Sequence, residues 1–191
     1  RVIVPVQAEY LALEGLVQVL LVDGSTFTVG PGSDLVIDKF VYDPEKNQGE
    51  VFASLGKGVL RFVGGKISKK EGGVTVRIPS GAIAIRGGMF QGKVGGGPSL
   101  FSFLYGVEMK FTGKSGQVSR VYQPGYTLDL TGGIPHIRMT TAEDTQYFMR
   151  ALAGGSKVAL ATKLKRRADG KLFNTGVDIA EIEEEGTQDV I

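Results

Sequence analysis

The sequence predicts a mainly β fold of short stacked strands, with one short helix near residues 141–153. Three observations predict it. Apolar and polar residues alternate in short runs, the pattern of strands buried on one face. Turn residues separate those runs at a spacing of roughly 8 to 12 residues, as in all-β architectures. Glycine accounts for 29 of 191 residues and is not periodic as in collagen; it falls between the runs, where tight turns need positive φ.

Along the chain, Ser25, Phe27 and Val29 alternate with Thr26 and Thr28, and Val74, Val76 and Ile78 alternate with Thr75 and Arg77. Asp23-Gly24 lies ahead of the first of these runs and predicts a two-residue hairpin with a type I′ turn. Further turns are read at 30–33, 43–49 and 64–65. Beyond the flexible connector Gly95-Gly96-Gly97-Pro98, Phe101, Phe103, Tyr105, Val107, Met109 and Phe111 fall on one face of a long strand, with Ser102, Glu108 and Lys110 on the other. Strands over 118–123 and 126–130 follow, joined by Pro124-Gly125.

Thr140-Thr141-Ala142-Glu143 reads as a capping box, with Thr140 as cap and Glu143 reaching back. Thr145, Phe148, Met149 and Leu152 then form the apolar stripe of a helix ended by Gly154-Gly155, with Arg150 suiting the dipole in the last turn. After the helix a hairpin over 157–182 is expected, with a basic helix over Lys157–Arg167 as the alternative, and then an acidic tail. The organisation expected is a β domain over 1–95 and a β continuation over 96–191, packed as one unit.

Composition narrows the chemistry. There is no Cys and no Trp, and His136 is the single His, so disulfides, thiol catalysis and Cys-based zinc sites are excluded. Zinc needs about four ligands, which His136 does not find in sequence. Asp34 and Asp38, at i and i+4 on a strand, stand about 13 Å apart, beyond the roughly 5 Å of a retaining glycosidase pair. They read as a turn cap and a solvated residue. The glycine-rich run 92–99 lacks the Lys-Ser/Thr of a phosphate loop, and no Ser has a paired base. No enzyme, metal or cofactor is expected. A formal charge of +2 gives no general case for nucleic acid, and no apolar run approaches the roughly 20 residues of a membrane span. The chain starts at Arg1 without Met, which is read as a removed leader or a trimmed end.

Three runs, VDGSTFTVGPGSDLVIDKFVYDP, KGVLRFVGGKI and IPSGAIAIRGG, carry a family resemblance. Their order and spacing resemble the FecR domain over Val19–Gly88, through Asp23, Gly24, Gly30, Pro31, Arg61, Arg86 and Gly87. The third run departs from the family's usual Thr-Pro and Gly-x-Arg-Gly-Thr, reading Ile78-Pro79 and Ala84-Ile85-Arg86-Gly87-Gly88. The resemblance implies a β-rich extracytoplasmic module, periplasmic or at the cell surface, with solenoid-like or sandwich-like stacking. In the family such a region relays a signal from an outer-membrane transporter to a membrane-anchored sigma-factor regulator through protein contact. Neither an anti-sigma helical segment nor a membrane span is present in this chain.

The remaining candidates are surfaces. Arg86 is read first as an internal ion pair or carbonyl clamp holding its turn, and second as a carboxylate receptor. Lys163, Lys165, Arg166 and Arg167 form the densest basic run; Glu181, Glu183, Glu184 and Glu185 form an acidic one. Head-to-tail pairing of the two would build a homo-oligomer, which needs apolar contact or strand addition besides the weak exposed ion pairs. The leading expectation is therefore a non-enzymatic structural or scaffold subunit of a cell-envelope assembly. The alternatives are a periplasmic signalling or adaptor domain contacting a receptor's signalling domain, and a glycan-binding module using Phe101, Phe103 and Tyr105.

Overall fold

The computed structural model of the chain describes residues 2–4, 8–12, 15–153 and 162–163, with side chains over 15–153. The fold is mainly β with one short α-helix, as the alternation predicts. Of the two stackings the resemblance left open, it is the sandwich. Strands β1 (Val2–Val4), β2 (Ala8–Ala12), β3 (Val17–Leu20), β4 (Thr26–Val29) and β5 (Ser33–Asp43) precede a 16-residue strand, β6 (Gln48–Val63). Then come β7 (Val74–Ile78), β8 (Gly81–Arg86), β9 (Met89–Val94), β10 (Leu100–Tyr105), β11 (Glu108–Gly113) and β12 (Val118–Val121). Strands β13 (Tyr126–Asp129) and β14 (His136–Met139), helix α1 (Ala142–Leu152) and β15 (Thr162–Lys163) complete the order.

β6 belongs to both layers. Its first part pairs with β5 and β7, in a layer ordered β12-β11-β8-β7-β6-β5 that continues through β1, β2 and β15. Its last part, Gly58–Val63, pairs with β4 and β9 in the second layer, ordered β3-β4-β6-β9-β10-β13-β14. The switch is made at Gly56-Lys57-Gly58. Gly58 has φ +100, and a Cβ there would collide with Ser33; the Ser33 hydroxyl in turn accepts from the Val59 amide at 2.8 Å, fixing the bend.

Inward-facing side chains of both layers make one core. Phe27, Phe62, Phe90 and Phe101 stack across neighbouring strands of the second layer with successive centroid separations of 4.8, 5.9 and 6.4 Å. Leu35, Ile37, Phe40, Val51, Val76, Ile83 and Phe111 join that core from the first layer. Each such burial is worth about 1.5 to 3 kcal/mol, so this core, together with the ladders, holds the sandwich.

Among the described pairings only β6 and β7 run parallel. Antiparallel neighbours can be joined by a tight turn, but a parallel pair needs a crossover. Here residues 64–73 supply it, crossing one end of the sandwich with Ile67 buried beneath. The turn at Val22-Asp23-Gly24 anchors this crossing. It is not the expected two-residue type I′ turn: only Gly24 has positive φ (+86), and Leu21 accepts from the Gly24 amide at 2.8 Å and donates to Ser25 at 2.8 Å. That is a three-residue hairpin with glycine in the left-handed position. It leaves the Asp23 side chain free to turn inward. The buried carboxylate accepts from the amides of Ser25 (3.0 Å) and Ile67 (3.1 Å) and from the Ser25 hydroxyl (2.7 Å), while the Asp23 carbonyl accepts from the Lys66 amide (3.0 Å).

The long strand expected over Phe101–Phe111 is two strands. The chain turns at Gly106-Val107, so β10 lies in the second layer beside β9 and β11 in the first beside β8. Phe101 and Phe103 are buried in the core, and a bulge after Phe103 turns Tyr105 out to solvent. The aromatic face needed for a glycan is therefore not formed.

Candidate interaction surface

Strand register arranges the outer face of the second layer into three rows. Leu20, Thr26, Val63, Met89 and Tyr105 are successive cross-strand partners and form an apolar row interrupted only by Thr26. Next to it, Gln18, Thr28, Arg61, Gln91, Ser102, Thr127 and Arg138 form a polar row. The Arg61 guanidinium donates to Gln91 at 3.1 Å, and the Ser102 and Thr127 hydroxyls share a hydrogen bond at 2.8 Å. Beyond the polar row lie Val59 and Leu100, covered by Phe148 and Leu152 of α1 together with Leu16 and Ala151.

The helix is fixed to this face at its start. Its cap is Thr141, one residue later than expected, and the box partner is Asp144: the Asp144 amide donates to the Thr141 hydroxyl (3.1 Å) and the Thr141 amide to the Asp144 carboxylate (2.9 Å). Arg138 decides the frame. From β14 its guanidinium reaches both Asp144 oxygens, at 2.6 and 3.2 Å, and Asp129 of β13 at 3.1 Å. The hydrogen bond from Arg138, helped by those from Thr141, holds the Asp144 carboxyl down at about 2 against the cost of desolvation. The buried stripe of α1 is Asp144, Phe148 and Leu152; Met149 and Thr145, expected on it, face solvent.

Two parts of this layer remain uncovered among the described residues. The first is the apolar row, where Leu20 is 53 % and Tyr105 69 % exposed. The second is the edge of β14, which pairs with β13 on one side and with no described strand on the other. Ile134, Ile137 and Met139 are exposed there. An open edge with apolar side chains is a template for an incoming strand.

The residues singled out in the sequence fall mostly in the framework. Asp23 and Gly24 build the anchored turn, and Gly30 donates to the Val59 carbonyl at 2.8 Å beside exposed Pro31. Arg86 is exposed and in no ion pair among the described residues; its carbonyl, not its side chain, clamps the turn by accepting from Val107 at 3.0 Å, next to Gly87. Asp38 accepts from the Ser54 hydroxyl at 2.6 Å, and one oxygen of Asp34 is buried without a partner. Lys163 sits in β15 opposite Glu9. Lys165, Arg166, Arg167, Glu181, Glu183, Glu184 and Glu185 lie outside the described residues, as do most of the expected hairpin, the Gly154-Gly155 stop and the acidic tail. No group of acidic or His residues with metal-site geometry occurs among the described residues. No described helix is long and apolar enough to cross a membrane.

Comparison with known proteins identifies the fold. Two crystal structures, each of a candidate anti-sigma factor from Parabacteroides distasonis ATCC 8503, are similar to this chain. The first superposes with a TM-score of 0.58 at 16% identity, covering 75% of this chain and 65% of that one. The second gives 0.54 at 17% identity, covering 74% and 64%. The chain thus spans just under two thirds of the length of those proteins. No curated protein matches. The family model described as FecR protein matches residues 12–107, half of the sequence and the whole stretch from β3 to the turn after β10. On that match, the chain belongs to the FecR protein family.

Proposed function

We propose that the chain is an extracytoplasmic signalling or adaptor domain that works by protein contact, without chemistry of its own. The observation that carries this reading is the fold shared with candidate anti-sigma factors over about three quarters of the chain, in a chain of the FecR family. The scaffold-subunit reading has less support, because the polarised charges that suggested it lie outside the described residues. The partner on this reading is the signalling domain of an outer-membrane receptor. Strand addition at the open edge of β14 is a contact mode that the geometry offers, with Ile137 and Met139 as anchors.

Calorimetric titration of the chain with receptor signalling domains from the same organism tests it. Binding should be measurable, and the double variant I137D/M139D should weaken it by roughly tenfold or more, as for anchor residues elsewhere, with unchanged melting temperature. Absence of binding to every such domain, together with a large salt-sensitive oligomer in sedimentation, would return the scaffold reading to first place.

A further inference from the structure

The end of the sandwich crossed by residues 64–73 has two kinds of surface side by side. One is a groove of about 460 Å³ lined by Val63, Met89, Tyr105, Val107 and Lys69, floored by the glycines at 64–65 and 87–88. The other is a basin of about 360 Å³ lined by Lys46, Asn47, Lys66, Lys69 and Lys70. Lys69 is common to both. All four lysines are exposed, and none is in an ion pair among the described residues. Three carboxylates stand nearby and keep their charge, namely Asp43, which accepts from the amides of Glu45 and Lys46 in its own turn, exposed Glu45, and Glu71, approached by Lys110 at 3.8 Å; counted with Lys110, the lysines still outnumber them.

The loops that carry these side chains are held in place. The crossing segment is tied to Asp23 and Ser25 through the amides of Gly65, Lys66 and Ile67. The 44–47 turn is held by the Tyr42 hydroxyl on Asn47 at 3.1 Å. Like charges are thus kept together on a fixed platform, an arrangement that a polyanion relieves. Around the groove, Val22, Tyr105 and Val107 stand exposed at turn tips and strand ends.

We propose that this end of the domain docks on an anionic phospholipid surface, with the four lysines over the phosphates and Val22, Tyr105 and Val107 at the interface. Three features favour a bilayer over an acidic protein. The cations are all lysines, compact point charges that meet a diffuse field of phosphates without a fixed geometry, whereas a partner read group by group favours the forked guanidinium. Lysine stems can lie along apolar surface while their ammonium groups stay at the headgroups. Tyrosine with aliphatic neighbours is the composition of a membrane–water boundary. The inference goes beyond the receptor-contact reading and uses side chains other than those on the β14 edge, so either can fail alone.

Flotation of the full chain with vesicles of phosphatidylcholine alone, or with added phosphatidylglycerol, tests it. Binding should appear only with the anionic lipid and fall as salt is raised. The variant K46E/K66E/K69E/K70E should lose roughly a hundredfold or more in partitioning, the scale expected of four lysines beside an anionic surface. V22S/Y105S/V107S should weaken binding while keeping the salt dependence. Both variants change exposed side chains, and an unchanged melting temperature confirms folding. A charge-removed variant of Lys163, Lys165, Arg166 and Arg167 serves as the control for the other basic run. The proposal is overturned if the four-lysine variant floats like the original, if only the control variant loses binding, or if poly-glutamate binds the basin while anionic vesicles do not.

Discussion

The outer face of the second layer carries two sets of apolar side chains, and they have opposite fates. Val59 and Leu100 are covered by Phe148 and Leu152 of α1, whereas Leu20, Val63, Met89 and Tyr105, on the other side of the polar row, have no described element over them. Both sets are aliphatic or aromatic, although the covered pair flanks Lys93, whose ammonium lies over the Tyr147 ring of the helix. What differs is whether a described element supplies a cover, so one set contributes to folding and the other stands exposed among the described residues. Exposed apolar side chains scattered singly need no explanation, but a contiguous set points to contact with another body.

That contrast can be broken by mutation. The largest effect should come from the covered row: Phe148→Ala removes a fully buried ring and should cost about 3 to 5 kcal/mol, read from the denaturant midpoint. An equal loss from Leu20→Ser would erase the distinction. A smaller effect is expected from acid. Asp144 titrates at about 2 in the folded protein, below the ordinary aspartate value of about 3.9, so its stabilising contribution is complete above about pH 4 and is lost as the pH falls toward 2. That contribution is on the order of 2 kcal/mol, and Asp144→Asn should flatten the stability profile across this window. If the variant keeps the acid limb of the parent, Arg138 and Asp144 do not hold the helix. The smallest effect should be on the bare row: Tyr105→Ser should move stability by no more than about 0.5 kcal/mol, and a loss well beyond that in thermal unfolding would mean that the ring is covered after all.

Much of the framework was legible because turns and alternation are local properties. The glycines at 24 and 125 mark real turns, whereas at Gly32 the chain bends and continues along β6 and at Gly64-Gly65 it opens the crossover to β7; Phe27, Val74 and Val76 face inward as their alternation requires. The break at Gly106 was not legible, since apolar parity continues from Phe103 to Met109 across the turn and hides the change of layer. Nor could sequence choose between Thr140 and Thr141 as cap, because each has an acid three residues on. The choice is made by Arg138, which reaches Asp144 from the preceding strand. β14 escaped notice because His-Ile-Arg-Met has no buried face of its own. The uncovered row illustrates the general limit: Leu20, Val63, Met89 and Tyr105 come from four strands, and only register brings them together.

The shared strand β6 makes the two layers answer to a single alignment. A shift of one residue along an ordinary strand exchanges its inner and outer faces within one sheet. In β6 the same shift would expel Val51, Ala53 and Leu55 from one layer and Leu60 and Phe62 from the other in a single move, and would drag Gly58 away from the bend where Ser33 meets it. Unless the bulge at Gly56 absorbs the slip, an error of alignment in one layer is an error in the other, so the strand works as a built-in proofreading device.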